Sequence, residues 1–141
     1  MARRRHERLR LKFVVRGSLR ELSGVEMRIS LSEWQARLPL PATGRWPQGV
    51  WDIQALARGT MKVILFTPRA TDYQTPHEQD ELYVVMSGNG VLAIEGQSHA
   101  FTAGDVLFVP ARARHRFEEF SDDLVTWAIF WGPEGGEAGE P

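Results

Sequence analysis

The sequence predicts an all-β domain, a sandwich or a barrel, preceded by a short helix and an irregular arm. From Gly59 onward, β-branched and apolar runs recur at intervals of about 8–12 residues, with turn-forming residues between them. The turns are tight enough for hairpins, and no helical pattern separates the runs as a parallel βαβ sheet would require. The chain of 141 residues has the length of one domain, with a core large enough to fold without a disulfide or a metal.

The helix and the arm come before the predicted strands. Residues Ser30 to Leu38 (SLSEWQARL) are predicted to form a short helix that Ser32 caps and that the following prolines end. Residues 39–54 are rich in Pro, Gly and Trp. They are predicted to form an irregular arm that packs through Trp46 and Trp51.

Seven strands are predicted in the remaining part of the chain. Most are short runs of Val, Ile, Leu and aromatic residues, such as LYVVM and LVTWAIFW, and each ends at a turn signal. They cover residues 60–67, 82–86, 91–94, 98–101, 105–109, 115–120 and 124–131.

The positive charge is concentrated at the N-terminus. The first twenty residues contain eight of the seventeen Lys and Arg residues, and only Glu7 opposes them. Residues 1–26 are predicted to be a solvated, disordered basic extension. A nucleic-acid or membrane arm, an organelle transit peptide and a translation start at Met27 remain alternatives.

The charge and composition of the residues after this extension predict the limits of the domain and the class of its partners. Residues 133–141 are acidic and Gly-rich and are predicted to be a disordered tail, which leaves a barrel domain at 27–132 with its core at 59–131. The nearly balanced middle predicts no nucleic-acid partner, and no apolar run reaches membrane-spanning length. The apolar run after the arginines is too short for a secretory signal, so the protein is predicted to be cytoplasmic.

Any chemistry must come from carboxylates, imidazoles or hydroxyls, because the chain has no cysteine. His77 and Glu81 lie four residues apart where a loop enters a strand, and this even spacing places both on one face of a sheet. His115 begins a later strand, so a closed barrel brings the three together. Two imidazoles and a carboxylate suit Fe(II), Mn(II), Zn(II), Ni(II) or Cu(II), and the same set serves oxygen chemistry at non-haem iron. Spacing alone also allows hydrogen-bonded histidines and a surface glutamate.

Two segments resemble the two signature motifs of the cupin superfamily: residues 75–88 (TPHEQDELYVVMSG) and 104–119 (GDVLFVPARARHRFEE). The wider resemblance to small single-domain cupins runs from about Met27 to Gly135. The residues that match in type and spacing are His77, Glu81, Gly88, Gly104, Pro110 and His115.

The motifs depart from the family pattern at four positions. Arg69 and Arg112 replace glycines, and Glu119 replaces an asparagine. Thr75 replaces the first histidine, so a four-ligand site becomes a three-ligand site in which Thr75 is at best a weak ligand. The change opens a coordination position, as catalytic metal sites require, or weakens the site. Gln79 is a candidate for a replacement ligand or for a hydrogen bond to a ligand.

The resemblance implies a cupin jelly-roll β-barrel that holds one divalent metal ion through His77, Glu81 and His115. It also implies a homodimer, since cupins commonly pair through their sheets and N-terminal arms. Strand alternation from Glu81 directs Tyr83 inward, where its phenol either donates a hydrogen bond or a proton, or packs with its hydroxyl satisfied. Phe108, Trp127 and Phe130 are predicted to belong to the barrel core or wall.

The family resemblance predicts a metal-dependent enzyme that acts on a small organic molecule. The ligand set favours dioxygenase-type oxidation over isomerase or lyase chemistry, although the fold does not choose among them. A non-catalytic module that binds a small molecule or a metal is the alternative, which the loss of the first ligand histidine favours.

Overall fold

The structure is a computed structural model that describes residues 12–15, 18–21 and 26–139, with side chains described for 26–139. Antiparallel strands dominate it, and within those ranges the one α-helix is short. The predicted all-β class and the cupin jelly-roll architecture are therefore confirmed. No helix within the described ranges is long and apolar enough to cross a membrane.

Two short strands lie within the predicted basic extension. Strand β1 (Lys12–Val15) and strand β2 (Ser18–Glu21) pair antiparallel. The rest of residues 1–25 lies outside the described residues, so the predicted disorder of this extension stays a prediction.

The predicted helix is present but shorter than the sequence indicated. Helix α1 (Leu31–Gln35) is capped by Ser30, whose Oγ accepts the backbone N–H of Glu33 at 3.5 Å, so the assignment of Ser32 as the cap was wrong. Leu38 precedes a proline, which disfavours helical backbone there, and the chain tightens into i→i+3 turns after Gln35.

Eight further strands build two facing antiparallel sheets. The five-stranded sheet has the order β3-β4-β10-β5-β8, and the three-stranded sheet has the order β7-β6-β9. The strands are β3 (Asp52–Arg58), β4 (Met61–Phe66), β5 (Asp80–Ser87), β6 (Asn89–Ile94), β7 (Gln97–Thr102), β8 (Val106–Val109), β9 (His115–Phe120) and β10 (Val125–Trp131).

Strand β3 was not predicted, because its first residues fell in the arm and the rest in no element. Its sequence, DIQALAR, has one β-branched residue and little β propensity of its own. It forms because β4 offers a paired edge, with Ile53 opposite Leu65. The pairing of β3 with β4 is irregular between Gln54 and Leu56, where the register shifts.

The core lies between the two sheets and is rich in aromatic residues. Phe117 is its centre, 1% exposed, with its ring 5.0 Å from Tyr83, 5.4 Å from Phe101 and 6.1 Å from Phe66. Phe108 is 52% exposed, so of the two predicted places, barrel core or wall, it belongs to the wall. The side chains of its two neighbours, Leu107 and Val109, point into the core instead. The residues of the core cluster are Phe66, Tyr83, Val85, Leu92, Phe101, Val109, Ala113, Phe117, Leu124 and Ala128.

The chain after β10 contacts the first residue of β5 and the loop before it. The backbone N–H of Gly135 donates to the carbonyl of Glu78 at 2.7 Å, and that of Glu137 donates to Asp80 Oδ2 at 2.8 Å. Asp80 Oδ1 also accepts the N–H of Ala111 at 2.9 Å. This carboxylate therefore joins the predicted acidic tail, as far as it is described, to the loop before β9.

Candidate metal centre

The three residues that the motifs singled out come together across the two sheets. His77 lies on the loop before β5, Glu81 is the second residue of β5, and His115 is the first residue of β9. Their donor atoms all lie within 4.8 Å of one another. His77 Nε2 is 3.3 Å from Glu81 Oε2, and His115 Nε2 is 3.7 Å from Glu81 Oε1. The sequence thus located a compact cluster of metal-binding residue types.

Backbone carbonyls set the tautomer of both imidazoles. His77 Nδ1 is 2.7 Å from the carbonyl oxygen of Gln79, and His115 Nδ1 is 2.9 Å from that of Ala113. A carbonyl only accepts, so each Nδ1 carries the proton, and in a neutral imidazole the Nε2 then presents a lone pair. Histidines that bind metals are oriented by the same kind of hydrogen bond.

Three donor atoms of this cluster are buried without a hydrogen-bond partner. Within residues 26–139, four buried side-chain N or O atoms lack one, and three are His77 Nε2, Glu81 Oε1 and His115 Nε2. A buried polar atom without a partner costs about 1–3 kcal/mol, and a charged group costs more. A single cation between the three atoms satisfies all of them. The residues therefore fit a divalent metal ion, with two nitrogen donors and one carboxylate.

The pKa of His77 is raised by its surroundings. Burial lowers the pKa of this imidazole, but the adjacent Glu81 carboxylate outweighs burial, with smaller contributions from Gln79 and Asp80. Protons and metal ions therefore compete for the same nitrogen, as expected where ligands must be deprotonated to bind.

Thr75 does not join the cluster. Its side chain is exposed, and its Oγ1 accepts a hydrogen bond from Arg45 Nη2 at 3.0 Å. Arg45 also donates to the carbonyl of Tyr73, so the arm holds this stretch of chain outside the three-residue cluster.

Gln79 contacts the cluster through its backbone carbonyl. Its side-chain Nε2 donates to the carbonyls of Thr60 and Gly132, both at 2.9 Å, and so ties the β3–β4 turn to the end of β10. Its own carbonyl accepts the Nδ1–H of His77. The structure thus gives Gln79 a hydrogen bond to His77, which was one of the two roles considered.

Tyr83 is fully buried beside the cluster, with its ring centroid 6.4 Å from that of His115. Its hydroxyl donates to Gln74 Oε1 at 2.7 Å. Burial raises the pKa of Tyr83 well above its ordinary value, and the negative charge of Glu81 adds to this increase.

Two polar residues near the site, Asp72 and Gln74, were missed in the sequence. Asp72 is 1% exposed, and its carboxylate accepts hydrogen bonds from the backbone N–H groups of Gln74 and Phe117, both at 2.9 Å. Burial raises its pKa, which the hydrogen bonds from Gln74 and Phe117 oppose. The Asp-x-Gln spacing is a local turn signal, but nothing in the sequence showed that Asp72 reaches strand β9.

The cluster meets solvent on the side of His77, whose side chain is 20% exposed, whereas those of Glu81 and His115 are enclosed. The ring of Phe130 packs edge-on against His77, with centroids 4.7 Å apart. At the rim, the backbone N–H of Arg112 donates to the His77 carbonyl. Arg112, which replaces the family glycine, thus holds the loop that carries His77.

Comparison with known proteins points to one family. The family model described as "Cupin domain" matches residues 62–131. An uncharacterized protein of Streptomyces coelicolor is 37% identical over 84 residues, which cover 58% of this chain and 80% of that protein.

The chain is also similar to part of an enzyme and to a solved structure. Acireductone dioxygenase of Bacillus anthracis is 38% identical over 65 residues, which cover 42% of this chain and 38% of that enzyme, so the match spans well under half of its length. The solved structure of KdgF from Halomonas sp. superposes with a TM-score of 0.51 at 18% identity and covers 57% of this chain and 76% of that one. The second likeness concerns the fold alone.

Proposed function

This chain belongs to the cupin domain family, and on that basis we propose that it is a metal-dependent enzyme acting on a small organic molecule. His77, Glu81 and His115 would hold one divalent ion of Fe, Mn, Zn, Ni or Cu. The observation that carries the proposal is the set of three buried donor atoms without partners, which converge from two sheets.

The protein's own groups have separate tasks at this site. Glu81 supplies the negative charge that offsets part of the ion's charge, and the carbonyls of Gln79 and Ala113 hold the two imidazoles with their Nε2 atoms inward. When bound, the ion supplies Lewis acidity or a place for dioxygen at positions that the protein leaves open. Glu81 and His115 are enclosed, so solvent reaches the cluster on the side of His77.

We propose dioxygenase-type oxidation as the reaction class. Two histidines and one carboxylate with open positions are the set that non-haem iron oxygenases use. The similarity to acireductone dioxygenase of Bacillus anthracis supports the same choice and makes acireductone the first substrate to test.

Metal content and oxygen uptake test this proposal together. Protein purified without an affinity tag is expected to contain, or to take up from Mn, Fe, Ni, Cu and Zn, about one ion per chain. Loaded with iron(II), it is expected to consume oxygen when acireductone or a related enediol is added. Elemental analysis and an oxygen electrode provide the two measurements. Failure to retain any of the five metals would overturn the metal-dependent function.

A non-catalytic binding module is the second candidate. The observation that favours it is the position of Thr75, which is exposed and bound to Arg45, so the protein provides only three candidate ligands. The same experiment separates the two: a module is expected to bind metal without consuming oxygen or changing any substrate offered.

The outer face of the five-stranded sheet supports a homodimer. The pairing register aligns apolar side chains in two rows across this face, since neighbouring partners share a side of the sheet. Ile29 lines a surface cavity beside the middle of these rows, and at the β8 edge Val106 is 57% and Phe108 is 52% exposed. One row is Val63, Ile129, Leu82 and Phe108, and the other is Ile53, Leu65, Trp127, Val84 and Val106.

We propose that a second copy of the chain covers the open end of these rows. Sedimentation velocity is expected to show a dimer for the wild type and a monomer for Phe108→Glu, because a buried unpaired charge is costly at an apolar interface. Ser98→Glu, on the exposed side of β7, serves as the control and should remain dimeric. A monomeric wild type, or a dimeric Phe108→Glu, would contradict the proposal.

A further inference from the structure

A buried carboxylate fixes the orientation of the Gln74 side chain. Asp72 Oδ1 accepts the backbone N–H of Gln74, and Oδ2 accepts that of Phe117, so this carboxylate acts as an acceptor. Its Oδ2 also lies 2.6 Å from Gln74 Nε2. A flipped amide would direct its oxygen at the carboxylate, so Nε2 must face Asp72 and Oε1 must face away from it.

Gln74 in turn fixes the direction of the Tyr83 hydroxyl. The amide oxygen of Gln74, 2.7 Å from the phenol oxygen, has no proton, so Tyr83 donates to it. A phenol has one proton, and its remaining capacity is to accept. Tyr83 follows Glu81 by two residues on β5, so both side chains lie on the inner face, and the phenol ring packs near His115. Toward a group bound on this side of the cluster, the phenol oxygen therefore has only acceptor capacity left.

We propose that Tyr83, oriented by Gln74 and Asp72, is a positioning residue that accepts a hydrogen bond at the metal centre. It would select ligands that carry an O–H or N–H beside the coordinating atom, such as alcohols, enols and hydroxy acids, and reject bare oxyanions on that side. The inference rests on the proposed function, since it concerns what binds at that centre. Sites built to hydrogen-bond a substrate group discriminate strongly, because a mismatched ligand leaves buried polar groups unpaired.

Anion binding to the full-length protein loaded with cobalt(II) tests the proposal. Azide, which has no hydrogen to donate, is titrated while the visible absorption of cobalt is followed. Gln74→Leu frees the Tyr83 hydroxyl to turn toward the anion and is expected to bind azide at least about tenfold tighter than the wild type, as one hydrogen bond to a charged group provides. The double variant Gln74→Leu/Tyr83→Phe should lose that gain. The control Gln35→Leu, at an exposed position of helix α1, should match the wild type.

Two results with cobalt bound would overturn the inference: unchanged azide affinity in Gln74→Leu, or a gain that persists in the double variant. A metal-free measurement separates these from failure of the proposed function. The chain has two tyrosines, so in a Tyr73→Phe background the Raman doublet of tyrosine reports Tyr83 alone. It is expected to show a hydrogen-bond donor, and a non-donor in the parent would also overturn the inference. Absence of cobalt binding in the wild type would overturn the proposed function, and the proposed selection of ligands with it.

Discussion

Replacing His115 by alanine is expected to weaken divalent metal binding on the order of 100- to 1,000-fold, because structural zinc binding of about 10–16 kcal/mol is shared among four ligands. The loss should be specific to the cluster. His99→Ala makes the same substitution at an exposed residue of β7 and should leave metal affinity unchanged. Competition against a chelator gives both values. Equal affinities for the two variants would exclude His115 as a ligand.

The same variant is expected to lose the stabilisation that metal provides. A ligand at about 1,000 times its dissociation constant stabilises the folded state by about 4 kcal/mol. For a domain of this size that corresponds to a rise of about 8–16 °C in melting temperature. Calorimetry with and without metal should show this rise for the wild type and His99→Ala and little of it for His115→Ala. A similar rise in all three would place the bound ion elsewhere.

Truncating Phe117 is expected to cost about 3–5 kcal/mol of unfolding free energy, the usual range for a buried aromatic residue replaced by alanine. Total stabilities are about 5–15 kcal/mol, so the variant should be close to unfolding. Phe117 sits at the centre of the aromatic cluster and contacts both sheets through Phe66, Tyr83 and Phe101.

Phe108 provides the matched control for this experiment. Phe108→Ala removes the same atoms from an exposed position, and its effect within the protomer should stay within about 0.5 kcal/mol. Urea unfolding of the two variants, at a protein concentration low enough to keep both monomeric, gives the comparison. Equal losses would mean that the two phenylalanines have similar environments, against the burial seen here.

Much of the site could be predicted from the sequence, because the relevant information is local. The spacing of His77 and Glu81 places both on one face of β5, and the position of His115 at a strand start follows from its turn signals. Whether these residues hold a metal remains a proposal. Their convergence could be expected only if the strands closed into a barrel, since pairing between sheets is not encoded in either segment alone.

The features that were missed depend on long-range contacts. Strand β3 has weak intrinsic propensity and forms only against β4. In the sequence Asp72 has the pattern of an ordinary turn residue. Its contact with the N–H of Phe117, 45 positions later, is visible only in the structure. Phe108 is apolar and lies in a strand, but whether a strand residue faces the core depends on which of two alternating faces the sheet buries. In each case the deciding information lay in another segment of the chain.

Strand β10 comes last along the barrel, yet it lies between β4 and β5 in the sheet. On the ribosome, at about 5–20 residues per second, His77, Glu81 and His115 are all synthesised on the order of seconds before β10 is complete. During that interval the nascent chain contains every candidate ligand but lacks the strand that aligns β5 with β4. Two unpaired strand edges are then available to chaperones or to a neighbouring nascent chain. Metal loading is therefore expected to follow completion of β10, so premature termination before Val125 should yield a product that neither folds nor binds metal.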